Sequence, residues 1–457
     1  MNIIITVASL DGFHGSVLHV KEWVEGINKH ISDPNIKVVS IFFDNNTKKI
    51  IEDAGSEVYD IQTFLSLDPS SKNDLIIAFH FPILERMLFS GVTAKKIINW
   101  SLSPYEPLEA YSAFWADLTL LIANSEETKI ERARAQGIPV ERIKVINNPL
   151  PEKFNCGLES YPTNPRRETE RLRVLVVSNH VPQELSDLIQ LARNKNNFSN
   201  HDETATWKDE RISEGCSNSL TFVHCGQGGG DIIQEVTPQL LKKFDVVVTI
   251  GKTVQYCLGV AVPVFEYDRF GGRGYINTDN YEEAKKFNFS GRPQNRILSS
   301  QDIFHELFQG YPEARRQARI LQGKAFNDFS IGKQIEYLFQ LLSEKKEINK
   351  DLLDGIIAPK NFVPDSIAFI AAFSYLKSDN YQLKGELNAS ISNVQQLQHI
   401  VKEGEEKLSR AELSFKAHEQ QLQEVLRQRE EELSQIRSSR AYRVALILRR
   451  LKSFITG

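Results

Sequence analysis

The chain has 457 residues, 41% of them hydrophobic and 25% charged, with a net charge of -4. That length accommodates two or three domains, and the near balance of charge gives no global reason to expect a nucleic-acid partner. The cysteines Cys156, Cys216, Cys225 and Cys257 lack CxxC spacing, which argues against a structural zinc site or a disulfide framework and suits a reducing cytoplasm.

The first third alternates short apolar runs with helical periodicity. Strands are predicted over residues 3–7, 36–43, 75–79, 96–100 and 118–123. A helix near 16–29 keeps Val17, Val20, Val24 and Ile27 on one face, and another is predicted over 47–54. Asn124-Ser125, followed by Glu126 and Glu127, is a helix N-cap with acids in the first turn, and Gly137 is the matching stop. A short strand follows at 143–146. Strand and helix in alternation predict an α/β domain over 1–150 with a mainly parallel sheet covered on both faces. The opening apolar run lacks the basic start and long apolar stretch of a signal peptide. No apolar run approaches the roughly 18 residues of a membrane span.

Residues 151–171, polar and proline-bearing, read as a linker. The pattern then restarts over 172–346: strands at 173–178 and 220–224, helices near 183–192 and 237–243, strands at 246–250 and 262–265. Residues 193–218 are polar and read as a loop. Helices are predicted over 301–308, 313–327 and 332–346. The first 346 residues therefore read as two Rossmann-like α/β domains in tandem. Beyond a helical connector (347–380), Leu387, Val394, Val401, Leu408, Phe415, Leu422 and Ile436 lie on a seven-residue repeat whose one gap is Arg429. With poor companion positions (Ser390, Gly404, Ala411, His418, Glu432), the pattern reads as a coiled coil over 381–436 with possible self-association, or as a lone solvated helix packing one stripe elsewhere. The tail, 437–457, carries Arg437, Arg440, Arg443, Arg449, Arg450 and Lys452 with no acid. Its apolar residues recur at helical spacing, as in a helix lying on an anionic membrane or in a dimerisation helix with a solvated basic face.

The chemistry concentrates in FDVVVTIGKTVQYCLGVAVPVFEYDRFGGRG, which begins at Phe244. Two apolar strands joined by a helix make a parallel βαβ unit, whose ligands sit beyond the carboxyl ends of the strands. Gly251, Lys252 and Thr253 at the first turn, with Arg269, Gly271, Gly272, Arg273 and Gly274 in an expected loop after the second strand, make a candidate phosphate or pyrophosphate site. The turn resembles part of a P-loop, but the upstream glycine is missing, which weighs against an ATPase. The plainer alternative is a solvated Lys252 at a helix start, where its charge is unfavourable without a nearby anion. Asn179-His180 and Gly226 follow neighbouring strands and reach the same edge. There His180 either donates to a phosphate or caps the next helix. In the first domain, Gly12 and Gly15 allow close backbone approach, and His14, His80 and Glu106 are candidate general bases toward an acceptor hydroxyl.

Several segments resemble bacterial GT-B glycosyltransferases of the surface-polysaccharide type. They are Asn124-Ser125-Glu126, Gly137-Ile138-Pro139, residues 143–149, Val177-Ser178-Asn179-His180, Gly251 to Tyr256 including Gln255, residues 267–272 and residues 288–292. The resemblance spans about residues 1–345. It implies a nucleotide-diphosphate sugar held mainly by the second domain and a glycan or lipid-linked acceptor on the first, while the basic tail is what places the chain at the inner face of the cytoplasmic membrane. No cofactor beyond the sugar-nucleotide substrate is implied. No Asp-x-Asp motif stands in a suitable loop, so no bound metal is required. Retaining members commonly carry two glutamates seven residues apart before a G-x-P-V segment. Here Gln255 and Tyr256 stand in that helix and Ala261 replaces the glycine. That departure leaves retaining or inverting stereochemistry open and keeps a non-catalytic scaffold subunit in view; a sugar-nucleotide epimerase on the same two-domain scaffold is a further alternative.

Overall fold

The computed structural model describes residues 1–12, 15–67, 72–155, 171–198, 220–226, 230–348, 416, 420–435 and 444. The expected linker beyond 155, His14, most of the coiled coil and nearly all of the basic tail lie outside the described residues.

The first lobe is built from β1 (Asn2–Leu10), α1 (Gly15–His30), β2 (Asn35–Phe43), α2 (Asn45–Asp53), β3 (Glu57–Asp60), α3 (Ile61–Ser66) and β4 (Asn73–Ala78). It continues with α4 (Phe81–Phe89), β5 (Ala94–Ser101), β6 (Leu120–Ala123), α5 (Glu126–Gln136) and β7 (Ile143–Val145). Its seven strands pair in parallel in the order β3-β2-β1-β4-β5-β6-β7. Ser125 caps α5 by accepting from Thr128, and Gly137 ends it at φ 65°. Asp44 and Asp60 cap α2 and α3 in the same way.

The second lobe comprises β8 (Leu172–Val177), α6 (Gln183–Phe198), β9 (Leu220–Cys225), α7 (Pro238–Leu241), β10 (Val246–Thr249), α8 (Lys252–Gly259), β11 (Val264–Asp268) and β12 (Gly271–Tyr275). Then come α9 (Tyr281–Lys286), α10 (Ser300–Phe329) and α11 (Ile331–Ser343). Sheet order is β12-β11-β10-β8-β9, all parallel except β12. Residues 420–435 are helical, with Leu422, Val425, Leu426 and Leu433 exposed. Among the described residues, no helix is long and apolar enough to cross a membrane.

Four features differ from the sequence reading. The polar stretch after Ala192 is not a loop from its start, because α6 runs to Phe198. The two helices expected over 301–327 are one, α10, with Pro312 inside it. The expected glycine-rich loop after β11 is instead the antiparallel strand β12. Its glycines answer to packing, since a Cβ on Gly272 would sit 1.8 Å from the Glu266 carbonyl oxygen, and one on Gly271 would sit 2.2 Å from that of Arg296. Finally, α11 returns to the first lobe. Ile331, Ile335, Leu338, Leu341 and Leu342 join Trp23, Val24 and Ile27 in one buried cluster. Each such side chain removed from water contributes roughly 1.5–3 kcal/mol, so this returning helix fastens the two lobes together.

Ala261 occupies the left-handed region at φ 57°. That conformation favours glycine, which accounts for the residue the resembling sequences carry at this point.

Candidate active site

The order of the second sheet places β8 beside β10 while the chain departs from them in opposite directions, to β9 and to β11. Ligands of open α/β sheets bind at such a switch, outside the carboxyl ends of the strands. A cavity of about 380 Å³ lies there. Ser178, Asn179 and His180 line it after β8, Gly226 after β9, Ile250, Lys252 and Thr253 after β10, and Asp268 at the end of β11 with Arg269 and Phe270 just beyond it. Gly15 and Leu18, at the start of α1, line it from the first lobe, so the cavity is shared between the lobes.

The turn into α8 is fixed by backbone. Gly251 has φ 64° and ψ -137°, and its N–H donates to the Phe289 carbonyl at 2.7 Å. The loop facing it is itself strained, with Asn288 and Phe289 both at φ 52°. Lys252 and Thr253 then open the helix, whose first amides have no partner within the helix. A Cβ on Gly15 would meet no atom within 4 Å. Its missing side chain therefore leaves open space in the cavity rather than relieving a packing clash.

Lys252 is not a free ammonium. Its Nζ pairs with a carboxylate oxygen of Glu22 on α1, and the Tyr256 hydroxyl donates to the other oxygen. The Lys252 and Glu22 side chains are 11% and 3% exposed. Burial pushes the Glu22 carboxyl up, against Lys252, and pushes the Lys252 ammonium down, against Glu22. Burial also raises the Tyr256 phenol well above its usual range. Beside them Glu235 accepts from Lys153 at 2.7 Å and Lys21 at 2.8 Å. Burial opposes the Glu235 charge, and the two lysines override it to hold the carboxyl below its usual range. On another flank Arg292 grips Glu127 of α5 through both oxygens, and Asn148 donates to Asn288 at 2.9 Å.

The other candidates are placed as follows. Asn179 and His180 are exposed at the cavity, and Arg269 lies over the Phe270 ring, its guanidinium carbon 4.8 Å from the centroid. Burial raises the Asp268 carboxyl, opposed by the Arg269 N–H and by the charges of Arg269 and His180. Gly12 donates its N–H to Asp44 at 3.0 Å, and Gln255 is buried within α8; neither lines the cavity. Gly271 and Gly272 do not line it either, for the packing reasons above. Arg273 is withdrawn from it, buried in an ion pair with Glu266 at 2.9 Å.

Of the candidate bases, His80 and Glu106 do not line the cavity, and His14 lies outside the described residues. His80 Nδ1 accepts from the Ala8 N–H at 2.6 Å, so its remaining proton sits on Nε2, 3.9 Å from Glu109. A ring whose lone pair is already engaged is poorly placed to take a proton. Glu106 is exposed and caps a turn by accepting from Leu108 at 3.5 Å. Glu22 escaped the sequence reading because it lies off the apolar stripe of α1, and its partners Lys252 and Tyr256 come from the second lobe. Ser178, Asp268 and Phe270 fall within segments that carry the resemblance, but their residue types alone do not separate ligand contact from turn chemistry.

Two Rossmann-like lobes that share a cavity at the carboxyl edge of the second sheet constitute a GT-B-like fold. The chain is similar in fold to a solved lipopolysaccharide outer core galactosyltransferase in apo form, at 13% identity, 72% of this chain, 98% of that one and a TM-score of 0.39. It is similar also to the UDP-GlcNAc 2-epimerase of Neisseria meningitidis bound to UDP-GlcNAc, at 11% identity, 75% and 100% coverage and a TM-score of 0.43. A third likeness is to the pneumococcal O-GlcNAc transferase GtfA in complex with UDP and GlcNAc, at 8% identity, 75% and 99% coverage and a TM-score of 0.43. No protein-family model matches the chain, and no curated protein matches it by sequence.

Proposed function

We propose that the chain is a glycosyltransferase of the hexosyltransferase type, moving a sugar from a nucleotide-diphosphate sugar to a glycan or lipid-linked acceptor in bacterial surface-polysaccharide synthesis. The observation that carries the reading is the shared cavity at the β8/β10 switch, where Lys252, Thr253 and the start of α8 meet the start of α1. Helix N-termini attract anions through their partial positive charge and unpaired amides. Two of them, with an ammonium and a hydroxyl, suit a diphosphate.

Transfer builds oxocarbenium character on the sugar and negative charge on the departing nucleoside diphosphate. The α8 amides, Lys252 and Thr253 would stabilise that charge as oxyanion donors do, with Arg269 at the rim. This chemistry asks for no metal. The acceptor would enter from the first lobe, past Gly15. The basic tail, 437–457, would hold the enzyme at an anionic inner leaflet, each Lys or Arg near the surface contributing about 1 kcal/mol.

Two measurements test this. Thermal-shift screening against UDP-, GDP- and dTDP-sugars should raise the unfolding midpoint with at least one of them, by linkage. A flat response to every nucleotide sugar would end the donor assignment. Truncation after Ile436 should release the protein from phosphatidylserine vesicles at moderate salt, whereas undiminished vesicle binding would remove the membrane role.

A further inference from the structure

We propose that Glu22 is an internal stand-in for the donor's phosphate: it occupies Lys252 from the opposite lobe, and the diphosphate must displace it. The inference rests on the donor assignment above and adds a positioning residue to it.

Three observations converge on Glu22. Lys252 begins α8, where its charge adds to the positive end of the helix and calls for an anion. Glu22 supplies that anion across the lobe boundary, and the Tyr256 hydroxyl binds the same carboxylate. Both Lys252 and Tyr256 line the cavity, and Glu22, which binds them both, does not. A diphosphate arriving at Lys252 therefore meets an ammonium already neutralised, in a place too dry to hold two anions on one cation without strong repulsion. Either the carboxylate withdraws along α1 or it takes up a proton.

The surroundings favour the second course. The charged and titratable groups around this carboxylate are Lys252 and Tyr256 on α8, Lys153 after β7, Glu235 ahead of α7, and Lys21, Glu25 and His19 on α1 itself. Burial already favours the neutral form of Glu22. His19, pushed well below its usual range by burial and by Lys252, adds no cation that would keep Glu22 charged.

Titration calorimetry with inorganic pyrophosphate and with UDP, GDP and dTDP, on the full chain, decides the matter. Glu22→Gln abolishes the competing charge and leaves Lys252 buried without a partner, a state that an anion relieves. Pyrophosphate, and any nucleoside diphosphate the native chain accepts, should bind E22Q at least about tenfold more tightly, while the ligand-free variant melts lower. Binding to the native chain should take up protons, read from the dependence of the heat on buffer ionisation, and binding to E22Q should not. Tyr256→Phe, which frees one carboxylate oxygen, should tighten binding by a smaller factor; it serves as the test should E22Q not fold. Equal or weaker binding by both variants, with the native chain still binding, overturns the stand-in role and leaves the donor assignment intact. No binding by any of the three proteins overturns both.

Discussion

An Arg273→Leu variant should unfold with roughly 3–5 kcal/mol less free energy than the native chain, the cost of removing one member of a buried ion pair. Arg273 and Glu266 are 3% and 0% exposed at the side chain, with Nη1 2.9 Å from the carboxylate. Other donors remain to Glu266, the backbone N–H groups of Gly291 at 3.3 Å and Arg273 at 3.4 Å, but neither carries a full charge. Burial raises the Glu266 carboxyl and Arg273 opposes the rise, so the substitution lifts it further. A carboxyl raised in the folded state contributes stability fully below its unfolded value, near 4.3, and loses it as pH climbs through the folded value. The deficit of R273L should therefore be smaller in urea melts at pH 5 than at pH 8. A deficit that is constant or shrinks toward alkaline pH would mean that Glu266 is not the group left stranded.

The structural purpose of that pair explains why part of the site was misread. The sequence DRFGGRG combines arginines and glycines in the way anion-binding loops do. The same letters equally describe a tight hairpin whose strand must pass within contact of Glu266 and whose arginine must neutralise it. Composition does not separate those cases, because both require small residues and positive charge. Only the position of Glu266 two residues before the β11 terminus, pointing inward, assigns Arg273 to the fold and leaves Arg269 for the cavity.

The alternation of strands and helices was legible because burial on both faces leaves unbroken apolar runs, as at Ile3–Ile5, Val174–Val177 and Val246–Val248. Caps were legible where side-chain chemistry is local, as at Ser125 and Gly137. Short edge elements such as β3 lack a sufficient run and were missed, as was α3 beside it. Contacts between lobes were illegible for a different reason. Glu22, Glu127 and Glu235 each look like solvated acids on their own elements, and their partners Lys252, Arg292 and Lys153 lie far away along the chain or beyond a turn. Pairing of that kind is set by how two finished lobes meet, which no local pattern records.

Replacing Lys252 should lower turnover with the best nucleotide sugar by about 10²-fold or more, the usual consequence of removing one preorganised donor to a developing anion. Lys252→Met also leaves the Glu22 carboxylate buried with Tyr256 as its remaining donor, so stability and activity would fall together. A second variant separates them. In Glu22→Gln with Lys252→Met neither the ammonium nor the carboxylate of this pair is left stranded, and the melting midpoint lost in K252M should largely return, as neighbouring substitutions are not additive. Turnover should not return, because nothing replaces the ammonium at the leaving group. The loss should appear in kcat more than in KM, since the charge it answers to develops during the reaction. If the double variant regains both properties, Lys252 serves only to hold the lobes together. If it regains stability alone, the ammonium belongs to the chemistry, and the cavity at the β8/β10 switch is where the diphosphate departs.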